Sequence, residues 1–149
     1  MKYINKNLFI EKTKVQDIAK KFGTPIYCYS YWQLKENIKN FKKNFKSFSP
    51  LVCFAIKSNT NINLITEIRK LGLGADVVSI GELMMALKAG VNPQKIVFSG
   101  VGKTSSEISY AIDKKILLIN AESKSEIIEI ERIAKIKKRI VNIGIRLNP

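Results

Sequence analysis

Apolar positions along the chain fall into two rhythms. After Pro50, short apolar runs alternate with stretches whose apolar residues recur every three or four positions. The runs are Leu51–Ile56, Ala75–Val78, Lys95–Phe98, Ile116–Ile119 and Ile140–Ile145, and their length and abrupt polar ends predict buried β-strands. The stretches between them, Ile62–Lys70, Gly81–Ala89, Ser105–Lys114 and Lys124–Ala134, carry the spacing of helices with one apolar face. Four successive run ends, Ile56, Val77, Phe98 and Ile119, step by 21 residues each time. A strand–helix unit repeated at so constant and short a period predicts parallel strands joined by helical crossovers. The pattern fits a (β/α)8 barrel better than a doubly wound sheet, and a complete barrel takes about 250 residues. The expected fold is therefore α/β, a partial TIM barrel of five strands, the sequence forming the front part of a longer protein.

Residues 1–30 follow another rhythm. Leu8–Ile10 predicts a short strand, Val15–Phe22 a short helix, Gly23-Thr24-Pro25 a turn, and Ile26–Tyr29 a further strand. Ser30 is a natural N-cap for a helix whose apolar stripe is Tyr31, Leu34, Ile38, Phe41 and Phe45, closed by Ser49-Pro50. Residues 1–30 are read as a separate N-terminal segment and residues 31–149 as an incomplete barrel.

Composition narrows the class. With 46% hydrophobic and 26% charged residues, the chain belongs with globular rather than disordered sequences. No apolar run approaches the roughly 20 residues of a membrane helix. The start, MKYINKNLFIEKTK, lacks the apolar core of a secretory signal, so a cytoplasmic location without membrane attachment is expected. The net charge of +14 invites a nucleic-acid reading. Its lysines, such as Lys35, Lys39, Lys42 and Lys46, alternate with apolar positions, which favours solvated helix faces and no nucleic-acid partner. Cys28 and Cys53 stand far apart within apolar runs, the pattern of buried reduced thiols and not of a metal or redox pair. No metal site is expected.

Barrels of this kind gather their chemistry at the C-terminal ends of the strands. The residues there are Lys57-Ser58-Asn59, Asp76 with Ser79, Ser99-Gly100, Asn120, and Arg146 with Asn148. Lys57 abruptly ends an apolar run. A lysine desolvated at an apolar mouth favours its neutral amine, which condenses with aldehydes; a solvated strand-end lysine is the alternative. Asp76, inside an apolar strand, requires a hydrogen-bonding or cationic partner. Glu82 on its own reads as a favourable acid at a helix start. Ser99-Gly100-Val101-Gly102-Lys103-Thr104 has Val97 where a phosphate loop needs its first glycine, so a tight strand-to-helix turn is predicted instead.

Taken together, CFAIKSN around Lys57, GLGADVVSIGEL, AGVNPQKIVFSGVGKT and the closing IGIRLNP resemble, in order, the motifs of the alanine racemase-like (fold type III), pyridoxal-phosphate-dependent decarboxylases. GTPIYCYS is similar to the opening of those members that decarboxylate meso-diaminopimelate. The resemblance implies that Lys57 carries pyridoxal 5'-phosphate as a Schiff base, with Asp76, Glu82 and Arg146 lining the cofactor site. It implies an amino-acid substrate, decarboxylation of meso-diaminopimelate to L-lysine, and a homodimer at full length. Decarboxylation of ornithine, arginine or carboxynorspermidine, or a non-catalytic homologue, are the alternatives. Family members also carry a histidine over the cofactor ring, a glycine-rich phosphate loop and a later β-rich domain, which residues 1–30 would join. This chain contains no histidine, and the 149 residues alone are expected to be inactive.

Overall fold

The computed structural model describes residues 1–45 and 47–147. Lys46, expected on a helix surface, and Asn148, expected at a strand end, lie outside the described residues, as does Pro149. The chain divides into two compact units, Met1–Ser49 and Pro50–Pro149.

The first unit opens with an antiparallel meander of β1 (Lys2–Ile4), β2 (Asn7–Ile10) and β3 (Thr13–Lys14). Helices α1 (Val15–Phe22) and α2 (Tyr31–Asn44) follow. Ser30 caps α2 as its sequence predicts, its hydroxyl oxygen accepting the Gln33 N–H at 3.0 Å. Glu11, in the β2–β3 turn, ties this helix start to the meander by accepting the Ser30 hydroxyl at 2.7 Å and the Trp32 N–H at 2.9 Å. The Trp32 N–H and then the Ser30 hydroxyl hold the Glu11 carboxyl below its ordinary range. The expected strand Ile26–Tyr29 is not formed. It pairs with none of the three strands of this unit, and Tyr27 and Tyr29 stand exposed. Cys28 is exposed with them, contrary to the expected buried thiol.

The second unit is a parallel five-stranded sheet in the order β4 (Cys53–Ala55), β5 (Gly74–Val77), β6 (Ile96–Phe98), β7 (Leu118–Ala121), β8 (Ile143–Ile145). Helices α3 (Ile62–Lys70), α4 (Ile80–Lys88), α5 (Ser105–Asp113) and α6 (Lys124–Lys137) connect successive strands. Every strand pairs with its neighbours in sequence, with no reversal of order. A doubly wound sheet reverses at a switch point, whereas a (β/α) barrel adds each strand beside the last.

The two faces of the sheet differ, as a barrel wall requires. Ala75, Val77, Ile96, Phe98, Ile119 and Ala121 are buried, and register brings Ala75 beside Ile96, and Val77, Phe98 and Ile119 into one row. They share a core with Ile65, Leu83, Ala86, Ile108, Ala111, Ile130 and Ile133 of the helices. The alternate residues, among them Ala55, Asp76, Val97, Leu118 and Asn120, are only half-buried. Strand alternation thus puts the helix-packed core on one side and the polar positions on the other.

Helix ends come close to the last two apolar runs, and β7 and β8 start later than those runs. Lys115, at φ +53, turns out of α5, and Ile116 donates its N–H to Ala111 O. Lys138, at φ +50, caps α6, and Arg139 donates to Ala134 O.

Core packing and close backbone approach make separate demands here. Phe98 is fully buried, and Phe98→Ala should cost about 3–5 kcal/mol. A Cβ at Gly74 would run into the Lys95 carbonyl oxygen and lie 2.9 Å from Cys53 Sγ, so Gly74→Ala should cost about 1–3 kcal/mol. Denaturant unfolding measures both, and an unchanged midpoint in either variant contradicts this account.

Candidate active site

Strand β4 runs directly into a single 3₁₀ turn, Ile56–Ser58, which is where Lys57 lies. Ile56 anchors the turn in the core while Lys57 is exposed. Ser58 Oγ donates to Ala55 O at 2.7 Å, and the Asn59 N–H closes the turn on Ile56 O at 2.9 Å. Asn59 then accepts the Asn61 N–H, and Asn61 caps α3. The expectation of a desolvated Lys57 is not met in this chain. Its ammonium has no hydrogen-bond or ion-pair partner among the described residues and faces water.

Asp76 is the register partner of Ala55, so it sits on the adjacent strand, two residues short of Lys57 in register. The partner that its buried-strand setting required is Ser99, whose hydroxyl donates to Asp76 Oδ1 at 2.6 Å. Asn120 Nδ2 donates in turn to Ser99 Oγ at 3.0 Å. Cys53 lies on the same face; partial burial, with a smaller contribution from the Asp76 charge, pushes its thiol above the ordinary value.

Glu82 secures the start of α4. Its Oε2 accepts the Val78 N–H at 2.9 Å, while its own N–H bonds Ser79 Oγ. The same device recurs one strand apart. Thr104 and Glu107 form a capping box on α5, and Glu126 accepts the Glu122 N–H at 2.7 Å while donating its own to Ser123 Oγ. Ser/Thr-x-x-Glu at Ser79–Glu82, Thr104–Glu107 and Ser123–Glu126 is the spacing by which these loops could have been read from sequence. Glutamates at these strand ends and helix starts also reach back to the preceding loop. Glu107 Oε1 accepts the Ile80 N–H at 3.0 Å, and Glu122 Oε1 accepts the Gly100 N–H at 2.9 Å. Arg146, after β8, is half-exposed and approaches Glu122 Oε1 at 3.4 Å.

The loop Ser99–Thr104 is a tight turn, with Gly100 at φ +96 and Gly102 at φ +73. It surrounds the residue that sequence reading passed over. The Lys103 side chain is 1% exposed, and its ammonium donates to Gly100 O, Asn120 O and Glu126 Oε1 at 2.7–2.8 Å. Lys57 and Lys103 thus follow strand ends in opposite states, one free in water and one buried and fully committed.

Such a rim suits a ligand bearing an aldehyde. Lys57 offers an uncommitted amine, and Asp76 keeps Oδ2 without a hydrogen-bond partner among the described residues. The Ser99–Thr104 loop does not suit a phosphate, because Glu122 takes its Gly100 N–H and Lys103 is sealed in. A cavity of about 340 Å³ lies at the rim itself, lined by Gly102, Lys103, Glu122 and Glu126 among others. Another of about 430 Å³, lined by Ile116, Lys138 and Arg139 among others, sits at the opposite end of the strands. No group of three or more His, Cys, Asp or Glu among the described residues could hold a metal ion. No helix among them is long and apolar enough to cross a membrane.

A singly wound parallel sheet with a free lysine and a braced aspartate at the C-terminal ends of adjacent strands is the site architecture of a (β/α)-barrel protein. Comparison with known proteins specifies the family. Residues 32–149 match the pyridoxal-dependent decarboxylase, pyridoxal binding domain, and the chain belongs to this family. It is 42% identical over 149 residues to the diaminopimelate decarboxylase of Aquifex aeolicus, covering 100% of this chain and 35% of that one. A crystal structure of diaminopimelate decarboxylase from M. jannaschii in co-complex with L-lysine matches with a TM-score of 0.94 at 38% identity, covering 97% of this chain and 35% of that one. The Helicobacter pylori enzyme complexed with L-lysine matches with a TM-score of 0.86 at 42% identity, covering 90% and 34%. The chain therefore spans about a third of the length of these relatives.

Glu107 makes the rim sensitive to pH. The Thr104 N–H, with the Ile80 N–H, the Thr104 hydroxyl and the Lys103 charge behind it, holds its carboxyl below the ordinary range against the opposing effect of burial. Such a group stabilises the fold above an unfolded value of about 4.3, and that contribution is lost as pH falls through the lowered folded value. Glu107→Gln should melt below the parent protein at neutral pH, with the gap narrowing below about pH 4. Thermal melts read this directly, and a gap of constant size from neutral pH to about pH 3 would be incompatible with it.

Proposed function

We propose that the protein carrying this chain decarboxylates meso-diaminopimelate to L-lysine, with Lys57 as the residue that bonds pyridoxal 5'-phosphate. The observation that carries the reading is the state of Lys57. It is the lysine at a strand end whose amine is unengaged and accessible, while Lys103 is buried against three acceptors. Likeness to diaminopimelate decarboxylases along the whole chain supports the choice of substrate.

Each residue has a role on this reading. Lys57 supplies the amine that holds the cofactor and afterwards moves protons. Asp76, beside it on β5, offers a carboxylate oxygen to positively charged nitrogen at the rim. Glu82 fixes the Val78–Ser79 backbone next to Asp76, and Arg146 presents its guanidinium from the far edge of the sheet. The bound cofactor would act as the electron sink for the pair left when carbon dioxide departs. The reading extends to a cytoplasmic homodimer, as the sequence resemblance implies.

Borohydride reduction of the holo-protein followed by peptide mapping tests the assignment. The pyridoxyl group should appear on Lys57, and Lys57→Ala should abolish both that labelling and carbon dioxide release from meso-diaminopimelate. Labelling of Lys103 or any other lysine in the parent protein overturns the reading.

A further inference from the structure

One hydrogen-bonded chain crosses the polar face of the sheet and ends on the proposed site. It starts at Asn120 on β7, passes through Ser99 at the end of β6, and stops at Asp76 on β5. Its direction is fixed by chemistry. A carboxamide nitrogen can only donate, so Asn120 Nδ2 occupies an acceptor position on Ser99 Oγ. The Ser99 hydrogen is then free to go to Asp76 Oδ1, and the 2.6 Å separation is that of a charge-assisted O–H···O⁻ bond.

The upstream end is held firmly. The Asn120 backbone carbonyl accepts from the buried Lys103 ammonium at 2.7 Å. Its register partner on β8 is Gly144, where a Cβ would collide with Asn120 Oδ1. Bare glycine backbone is what allows the carboxamide to lie across the strand. Ser99 is fixed by its own N–H, which donates to Val77 O at 2.8 Å.

The downstream end is open. Ala55, the register partner of Asp76 on β4, brings only a methyl group, and Asp76 Oδ2 has no hydrogen bond among the described residues. A chain that served packing alone would close on a satisfied group. This one braces one oxygen of a carboxylate and leaves the other without a hydrogen bond, on the strand beside the one that runs into Lys57.

We propose that Ser99 and Asn120 are positioning residues that orient Asp76, so that Oδ2 is presented to the amine chemistry at Lys57. The inference rests on the reading of Lys57 and Asp76 given above. Neither positioning residue needs to touch cofactor or substrate. Both act through the rotamer and the hydrogen bond of a third side chain, and misplacing a reacting group by about 1 Å can cost on the order of a hundredfold in rate.

The test is a set of variants of the full-length protein: Ser99→Ala, Ser99→Thr, Asn120→Ala, Asp76→Asn and the Ser99→Ala/Asp76→Asn pair. Ser99→Ala should lower kcat by about tenfold to a hundredfold with a smaller change in KM, and Ser99→Thr, which keeps the hydroxyl, should restore most of it. Asn120→Ala reads the chain from its other end and should lower kcat in the same direction. In the Asp76→Asn background, Ser99→Ala should have little further effect on kcat or on pyridoxal phosphate affinity, because its action runs through that carboxylate. A crystal structure of the Ser99→Ala protein should show the Asp76 carboxylate turned while the β5–β7 backbone superposes on the parent. Equal losses in both backgrounds, parent-like kinetics in Ser99→Ala, or an unmoved Asp76 carboxylate would each overturn the proposal. If the parent protein releases no carbon dioxide from meso-diaminopimelate, the functional reading fails instead. The affinity cycle and the carboxylate orientation still decide the role of Ser99 and Asn120.

Discussion

The buried ammonium of Lys103 is the interaction on which the rim of the sheet depends. A charge removed from water is tolerated only when its donors are all satisfied, and here Gly100 O, Asn120 O and Glu126 Oε1 satisfy them. Those acceptors belong to the loop after β6, to β7 and to the start of α6. One side chain therefore joins successive strand–helix units at the end where their loops would otherwise move independently. Glu107 on Ile80 and Glu122 on Gly100 extend the same stitching across neighbouring loops.

This stitching separates stability from chemistry. The outer face of the sheet, with Phe98, Val77 and Ile119 at its centre, is an apolar core shared with the helices. The other face carries Asp76, Ser99 and Asn120, and it leads to the exposed Lys57. Hydrophobic burial on one side and capped loops at one end fix the backbone, so the polar face is free to hold groups that packing does not require. Gly74 and Gly144 belong to the same economy. Each leaves room for a neighbour, the Lys95 carbonyl in one case and the Asn120 carboxamide in the other.

Much of this was legible in the sequence wherever a period governed the structure. The 21-residue step between Ile56, Val77, Phe98 and Ile119 marks a parallel sheet in sequential order, and Ile62–Lys70 and Val15–Phe22 are helical over the residues their spacing predicts. Periodicity fails where neighbours decide. Ile26–Tyr29 has the composition of a strand but pairs with none of the strands of its unit, and Cys28 shares its exposure. Apolar Ile116 precedes its strand because the end of α5 claims its N–H, and apolar Ile140 stands fully exposed ahead of β8. Asp76 could be recognised as needing a partner, but that the partner is Ser99, 23 residues away, depends on register. Lys103 was hardest of all. A lysine in a glycine-rich turn reads as solvent-exposed, and only the fold places three acceptors around it.

The central claim is that two lysines that follow strands have opposite duties, Lys103 holding the rim and Lys57, under the proposed function, serving the site. Equilibrium unfolding of Lys103→Met beside Lys57→Met tests it most directly. Removing the Lys103 charge strands Glu126 in a buried setting and should cost about 3–5 kcal/mol, whereas exposed Lys57 should change stability by no more than about 0.5 kcal/mol. A Lys103→Met protein as stable as its parent, or a Lys57→Met protein destabilised to the same extent, would contradict the account.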